Sequence, residues 1–204
     1  MTDTLEPPDE HLVSLSKNGS LDAFNSLVDR YQSLVFTLCY RLIGERTAAE
    51  DAAQETFIAA YRGISHFKGG NFRAWLLRIA TNQARDELRR RQRRLHAHSL
   101  VRDDDQDDID PPDPVADPAT TLDARTLAPV IELALQNLPL DQRQVLLLAD
   151  VLGFQYEEIV TITGASMGTV KSRLFRARER MRATLSRHPE LFPRSGRFQH
   201  LEEP

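Results

Sequence analysis

The strongest chemical signal in the chain lies between Tyr156 and Arg182, YEEIVTITGASMGTVKSRLFRARERMR. A short apolar-patterned segment, a glycine and a long basic segment follow one another there. In the basic segment Val170, Leu174, Ala177, Met181 and Leu185 recur in steps of 4, 3, 4 and 4, which at helical periodicity places them on one buried stripe. On the same wheel Ser172, Phe175, Arg176 and Glu179 point away from the stripe, and Lys171, Arg173 and Arg180 flank it. A basic amphipathic helix alone would also suit a membrane surface or a helix-binding partner. The preceding segment separates these readings. Ile159 and Ile162 give it a buried side, and Gly164 supplies the left-handed position that a sharp interhelical turn needs. The pattern is a helix-turn-helix, and its chemistry is DNA binding.

A second basic cluster lies upstream, where Arg85 to Arg94 contains six Arg against Asp86 and Glu87. Lys171 to Arg187 holds seven cations against Glu179 alone. The formal net charge of the chain is nevertheless −4, because residues 103–118 carry eight Asp and no cation; without them the remainder stands at +4. Two basic modules separated by an acidic strip is the asymmetry a nucleic-acid partner predicts. At 204 residues with 41% hydrophobic content, the chain suffices for two small cores. No apolar run reaches spanning length and the first residues, MTDTLEPPDEH, lack the pattern of a signal peptide, so no membrane insertion and a cytoplasmic location are expected. The single cysteine, Cys39, falls on an apolar stripe and reads as a buried thiol. Catalytic chemistry is not indicated. No nucleophile, base and orienting group recur together, and there is no phosphate-cradling Gly-Lys-Ser/Thr loop. No metal or other cofactor is expected: His96 and His98 lack companion ligands, and a calcium loop begun at Asp103 would put Asp108 at the glycine position and Pro114 at the bidentate Glu position.

The elements that must position these clusters are almost all helical. Ser20 is a candidate N-cap for a long helix with Phe24, Leu27, Val28, Tyr31, Leu34, Val35, Leu38 and Leu42 on one stripe, ending near Gly44. A second helix is expected over about 48–64, burying Ala52, Phe57, Ile58 and Tyr61 and exposing Glu50, Asp51, Gln54 and Glu55. Gly69 and Gly70 mark a loop. A third helix begins near Phe72, burying Phe72, Trp75, Leu76 and Ile79, with Leu77, Ala84 and Leu88 on another side and Arg78, Asn82, Arg85 and Arg89 along an edge. Between about His96 and Asp123, Asp, Pro and Thr imply an extended tether. Order resumes over Leu127 to Leu138, breaks at Pro139, and continues as a helix over about Asp141 to Leu152. The expected fold class is all-α, two small helical domains joined by a flexible acidic linker.

Four segments follow in a specific order: AEDAAQETFIAAYRGI, FKGGNFRAWLLRIATNQARDELRRRQRR, LPLDQRQVLLLADVLGFQYEEI and GTVKSRLFRARERMR. Together they resemble a two-domain sigma factor of the extracytoplasmic-function (ECF) class in the sigma-70 family, over Asp22 to Leu185. The resemblance implies an N-terminal tail over 1–19, a region 2 domain over 20–95, the linker over 96–123, a region 4 domain over 124–187 and a C-terminal tail over 188–204. It implies an alternative sigma factor that binds core RNA polymerase and promoter DNA, with an anti-sigma protein as a common partner of the class. Within AEDAAQE it assigns Asp51, Gln54 and Glu55 to the clamp coiled coil of the large polymerase subunit. It assigns recognition and melting of the −10 element to the loop and third helix, where Asn71, Trp75, Arg78 and Asn82 are expected near the opened strand and Arg85 and Arg89 on phosphates; Trp75, on the apolar stripe, equally suits a purely core role. The loop FKGGNFRAWL is one residue shorter than the class pattern, which leaves open the residue lining any flipped-base pocket. For the −35 element it implies major-groove reading, with Ser172, Phe175 and Arg176 at base edges, Lys171 and Arg173 at phosphates, and the amides of Gly168 and Thr169 as a phosphate site. The rival is a stand-alone helix-turn-helix regulator, which would leave the Trp75 helix and the Asp51/Glu55 face without purpose.

Overall fold

The structure, a computed structural model, describes residues 7–99 and 122–187, and all regular elements among these are helical. The acidic core of the tether, residues 100–121, and the tail, 188–204, lie outside them. The first module contains α1 (Asp9–Lys17), α2 (Leu21–Ile43), α3 (Arg46–Gly63), a 3₁₀ turn (Ile64–His66) and α4 (Phe72–Ser99). The second contains α5 (Leu122–Gln136), α6 (Leu140–Leu146) running into a π-helical turn (Leu147–Val151), α7 (Tyr156–Thr163) and α8 (Met167–Leu185).

Helix α2 is bounded as its sequence demands. The Ser20 hydroxyl accepts from the Ala23 amide at 3.3 Å, and Gly44, at φ 82°, closes the other end with its amide donating to the Tyr40 carbonyl. Left-handed backbone at that point favours glycine. Helix α3 starts two residues before the sequence-based boundary because the Glu45 carboxylate caps it, accepting from the Thr47 and Ala48 amides at 2.6 and 2.9 Å. Burial alone would raise the pKa of Glu45, but those two amides, together with Arg91, hold it below the ordinary carboxylate range. The segment before α2, expected as a tail, forms α1: Leu12 and Val13 are buried, and Asp9 accepts from Arg30 of α2 at 2.5 Å and from the Tyr31 hydroxyl.

The face α3 buries differs from the expected one. Ala48, Ala49, Ala52, Ala53, Thr56 and Ala60 enter the core, whereas Phe57 and Ile58 are half-buried and Tyr61 is 46% exposed. Small side chains let α3 lie close against α2 and α4, and the bulkier residues move aside to line a groove of about 780 Å³ along α2. Helix α4 continues through residues 96–99, and α5 begins at Leu122, so the non-helical tether is shorter at both ends than the sequence suggests. Pro129 lies inside α5, where its missing amide forfeits one helical bond without ending the helix. The expected helix from Asp141 to Leu152 is α6 followed by the π turn, in which the Leu152 amide donates to Leu147, five residues back.

The two modules share one continuous hydrophobic cluster, from Leu12 and Leu27 through Leu42 and Leu76 to Leu148, Ile159 and Leu174. A polar seam reinforces it. Arg143, 7% exposed, donates to the Leu42 carbonyl at 2.6 Å and also to the Gln136 and Leu138 carbonyls. Gln136 donates to the Arg41 carbonyl at 3.1 Å and accepts from Arg143. A β-carbon added at Gly44 would lie 2.7 Å from the Gln136 side chain. Gly44→Ala therefore combines left-handed strain with displacement of a bonded side chain at the seam, and is expected to lower unfolding free energy by about 1–2 kcal/mol. Chemical denaturation of the full chain measures this.

Candidate nucleic-acid interface

Helix α8 carries the C-terminal basic cluster. Its start is set by Ser166, whose hydroxyl accepts from the Thr169 amide at 3.2 Å, while Gly164 at φ 69° turns the chain out of α7. Val170, Leu174 and Ala177 are buried, and Met181 packs against the same cluster. The opposite face presents Lys171, Ser172 and Arg176 exposed, with Phe175 68% exposed. An aromatic ring left in solvent on a helix otherwise packed by aliphatics is the feature of this surface that folding does not explain. Arg178, by contrast, is committed to the fold: its guanidinium forms a two-point pair with Asp150 at 2.6 and 3.0 Å, which raises its pKa.

Two sequence-expected groups of this surface are already engaged. The Thr169 amide is taken by the Ser166 cap, so of the Gly168 and Thr169 amides only that of Gly168 remains for a phosphate. Arg173 donates to the Asp141 carboxylate at 2.5 Å.

In the first module Arg78, Asn82 and Arg89 are exposed along one edge of α4. Asn71 is engaged twice. Its side-chain oxygen caps α4 by accepting from the Ala74 amide at 3.0 Å, and its amide donates to Glu158 of α7 at 2.7 Å. Arg85 donates to Asp141 at 2.6 Å and to Gln144 at 2.7 Å. Trp75 is half-buried, with its ring 5.1 Å from that of Phe67 and 5.6 Å from that of Phe72, and it packs against Gly63. Below this cluster a cavity of about 550 Å³ opens between α1 and the Gly69–Gly70 loop, where Lys17 donates to the Phe67 carbonyl at 2.5 Å. Asp51, Gln54 and Glu55 all lie exposed on one face of α3, beside the apolar groove.

Sequence reasoning missed the groups that join the modules. Arg73 donates to the Leu152 carbonyl at 2.9 Å and lies 4.3 Å from the centroid of the Phe154 ring. Asp141, Glu158, Gln136 and Arg143 complete the set. Their spacing in sequence carries no period that pairs them, so only the packed fold reveals them. Among the described residues no three His, Cys, Asp or Glu side chains converge on a point that could hold a metal, and no helix is long and apolar enough to cross a membrane. Cys39 is fully buried and its thiol is pushed up to about 12 by burial.

Two helical modules, one ending in a helix-turn-helix with an exposed basic and aromatic face, define a DNA-binding protein. Residues 27–94 match the family model for sigma-70 region 2, and residues 130–181 match that for sigma-70 region 4. The ECF RNA polymerase sigma factor SigE of Mycolicibacterium smegmatis is 34% identical over 192 residues, covering 92% of this chain and 73% of the relative. The RNA polymerase sigma-H factor of Pseudomonas aeruginosa is 35% identical, covering 84% of this chain and 90% of the relative. Among solved structures, the sigma factor RpoE of Bartonella quintana, in complex with the anti-sigma factor NepR, is similar with a TM-score of 0.65 and 28% identity, over 81% of this chain and 98% of that one. CnrH in complex with the cytosolic domain of CnrY gives a TM-score of 0.64 at 26% identity, over 88% and 97%. The chain belongs to the sigma-70 family and is an ECF RNA polymerase sigma factor. It acts in transcription initiation, binding core RNA polymerase and promoter DNA. A stand-alone regulator is thereby set aside, since the Trp75 helix and the Asp51/Glu55 face lie inside a region 2 module.

The burial of Trp75 bears on how it can be tested. Trp75→Ala should cost about 3 kcal/mol of stability through the lost packing, seen as a lower denaturation midpoint whatever the indole does with DNA.

Proposed function

We propose that the chain divides its work between three surfaces. Asp51, Gln54 and Glu55 on α3, with the neighbouring groove of Phe36, Phe57 and Tyr61, dock the clamp coiled coil of the large polymerase subunit. Acidic side chains beside an apolar slot suit a basic amphipathic partner. The α4 edge of Arg78, Asn82 and Arg89, joined by Asn71, Trp75 and Arg85, meets the −10 element as its strands open: the amides offer hydrogen bonds to unstacked bases, and the arginines offer cations to phosphates. Helix α8 enters the major groove of the −35 element. Ser172, Phe175 and Arg176 face the base edges, Lys171 and Arg173 face phosphates, and the Gly168 amide lies at the helix N-terminus beside a phosphate.

The observation that carries this reading is the exposed row Lys171, Ser172, Phe175 and Arg176 on a helix whose other face is buried. Catalysis stays with the polymerase, and the chain works as an initiation factor in the cytoplasm without a cofactor. An anti-sigma protein is a further partner in this reading, supported by the similar Bartonella quintana sigma factor, whose solved structure is a complex with an anti-sigma factor.

Two experiments test the surfaces. Asp51→Arg with Glu55→Arg is expected to reduce capture of core polymerase at least tenfold in a pull-down, while circular dichroism stays unchanged because both positions are exposed. Undiminished capture removes the assignment of that face. In transcription by reconstituted holoenzyme over promoters randomised at the −35 element, Arg176→Ala should cost roughly tenfold to a hundredfold and relax preference at one base pair, since a bidentate guanine contact is worth about 1–3 kcal/mol. Lys171→Ala should lower output evenly. An even loss with Arg176→Ala would make it a phosphate contact and reverse the orientation of α8.

A further inference from the structure

Within the second module, α8 is tied to α6 and its π turn by two carboxylates. Asp141, at the start of α6, accepts from Arg173 at 2.5 Å. Asp150, inside the π turn, accepts from Arg178 at two points, from Nη2 at 2.6 Å and from Nε at 3.0 Å. Tyr156, at the start of α7, bonds to the same guanidinium. In a regular α-helix, residues spaced as Asp141 and Asp150 are would be separated by about two and a half turns and point to opposite sides. The wider winding of Leu147–Val151 shifts Asp150 off that phase, and both carboxylates reach one helix.

On α8 the two arginines flank the buried stripe of Val170, Leu174 and Ala177 on opposite sides. Arg173 precedes Leu174 by one residue and Arg178 follows it by four, which places them about 100° to one side of Leu174 and about 40° to the other. Arg178 is turned about 160° from Arg176 on the same wheel, so it does not share the base-facing side. Apolar contact along the stripe has no preferred direction, whereas a two-point guanidinium–carboxylate pair fixes both distance and plane. A rotation of α8 by about 20° would carry atoms about 5–6 Å from its axis through about 2 Å, more than a hydrogen bond to a base edge tolerates.

We propose that Asp150 and Arg178 are positioning residues of −35 recognition. Their pair fixes the rotation of α8 about its own axis, with the Asp141–Arg173 bond bracing the other flank, and so decides which base pair meets Ser172, Phe175 and Arg176. The π turn is the local distortion that brings Asp150 into place. The inference rests on the reading of α8 as the −35 helix, and it acts through the base-facing residues, since neither Asp150 nor Arg178 touches a base.

The test uses holoenzyme reconstituted with the full chain, transcribing promoters randomised at the −35 element, with Asp150→Asn, Arg178→Lys and the two combined. The first keeps the size of the side chain and the second keeps the charge. Each single variant should flatten base preference about threefold to fivefold, the range that loss of a partly exposed pair allows. The two combined should flatten it no further, because either change already removes the two-point pair. With the side chains 46% and 35% exposed, the variants are expected to fold. Thermal melting followed by circular dichroism gives the folded fraction, which scales output evenly over all promoters and leaves preference untouched. Arg176→Ala, run alongside, tests the underlying reading.

Even losses with preference unchanged make the pair a fold contact only and overturn the proposal. Higher output from Asp150→Asn at unchanged preference makes Arg178 a phosphate contact that Asp150 restrains, and overturns it as well. Additive flattening does the same, because the two residues would then act independently. If Arg176→Ala relaxes one base pair while the pair variants relax none, the brace alone fails; if Arg176→Ala relaxes none, the reading of α8 fails and the proposal falls with it.

Discussion

The C-terminal end of α2 is where the structure is tied together. The last carbonyls of a helix have no partner inside it, and they gather at the negative end of the helix dipole. Here those of Arg41 and Leu42 are met by Gln136 and Arg143 from the second module. Arg143 is buried, which lowers its pKa, and Glu132 opposes that shift from nearby; a buried guanidinium is tolerated only because carbonyls surround it. This capping fixes where α5 and α6 dock, and so fixes that Asp141 reaches Arg85 and that α7 faces the start of α4.

The first module satisfies its helix ends locally, by Ser20, Glu45 and Asn71. The second depends on α8 in the same way through Ser166, and on α7 through Glu158. Each of those side chains is short-range chemistry. The exceptions are Asn71 and Glu158, which cap their own helices and also bond to each other across 87 residues of sequence. A cap that also holds a partner couples local helix stability to module packing, and adds directional specificity to the hydrophobic cluster that the modules share.

The same logic explains why the exposed residues of the two surfaces differ. Lys171, Ser172, Phe175 and Arg176 lie on a face that no other helix among the described residues covers, so their exposure there follows from the α8 stripe. Arg85, Arg173 and Asn71 are bonded to carboxylates that the packed helices bring to them, so their availability depends on tertiary contacts. A helical wheel treats these two sets alike because it knows only one helix at a time.

What the sequence by itself determined was each period and each punctuation mark: α2 between Ser20 and Gly44, the turn at Gly164, the buried stripe of α8 and the order of motifs that marks an ECF sigma factor. These depend on interactions within a few residues, so their signals are local. It did not determine that α3 buries its alanines and leaves Tyr61 out, because close helix approach favours small side chains only once the neighbouring helices are in place. Nor did it disclose α1 against α2, the place of Trp75 between Phe67 and Phe72, or the sharing of Asp141 between two arginines. Those contacts join residues tens of positions apart, and no periodicity within one segment encodes which distant group will arrive to complete a hydrogen bond or fill a gap. Only the tertiary structure decided them, by bringing together donors and acceptors that burial does not allow to stay unpaired.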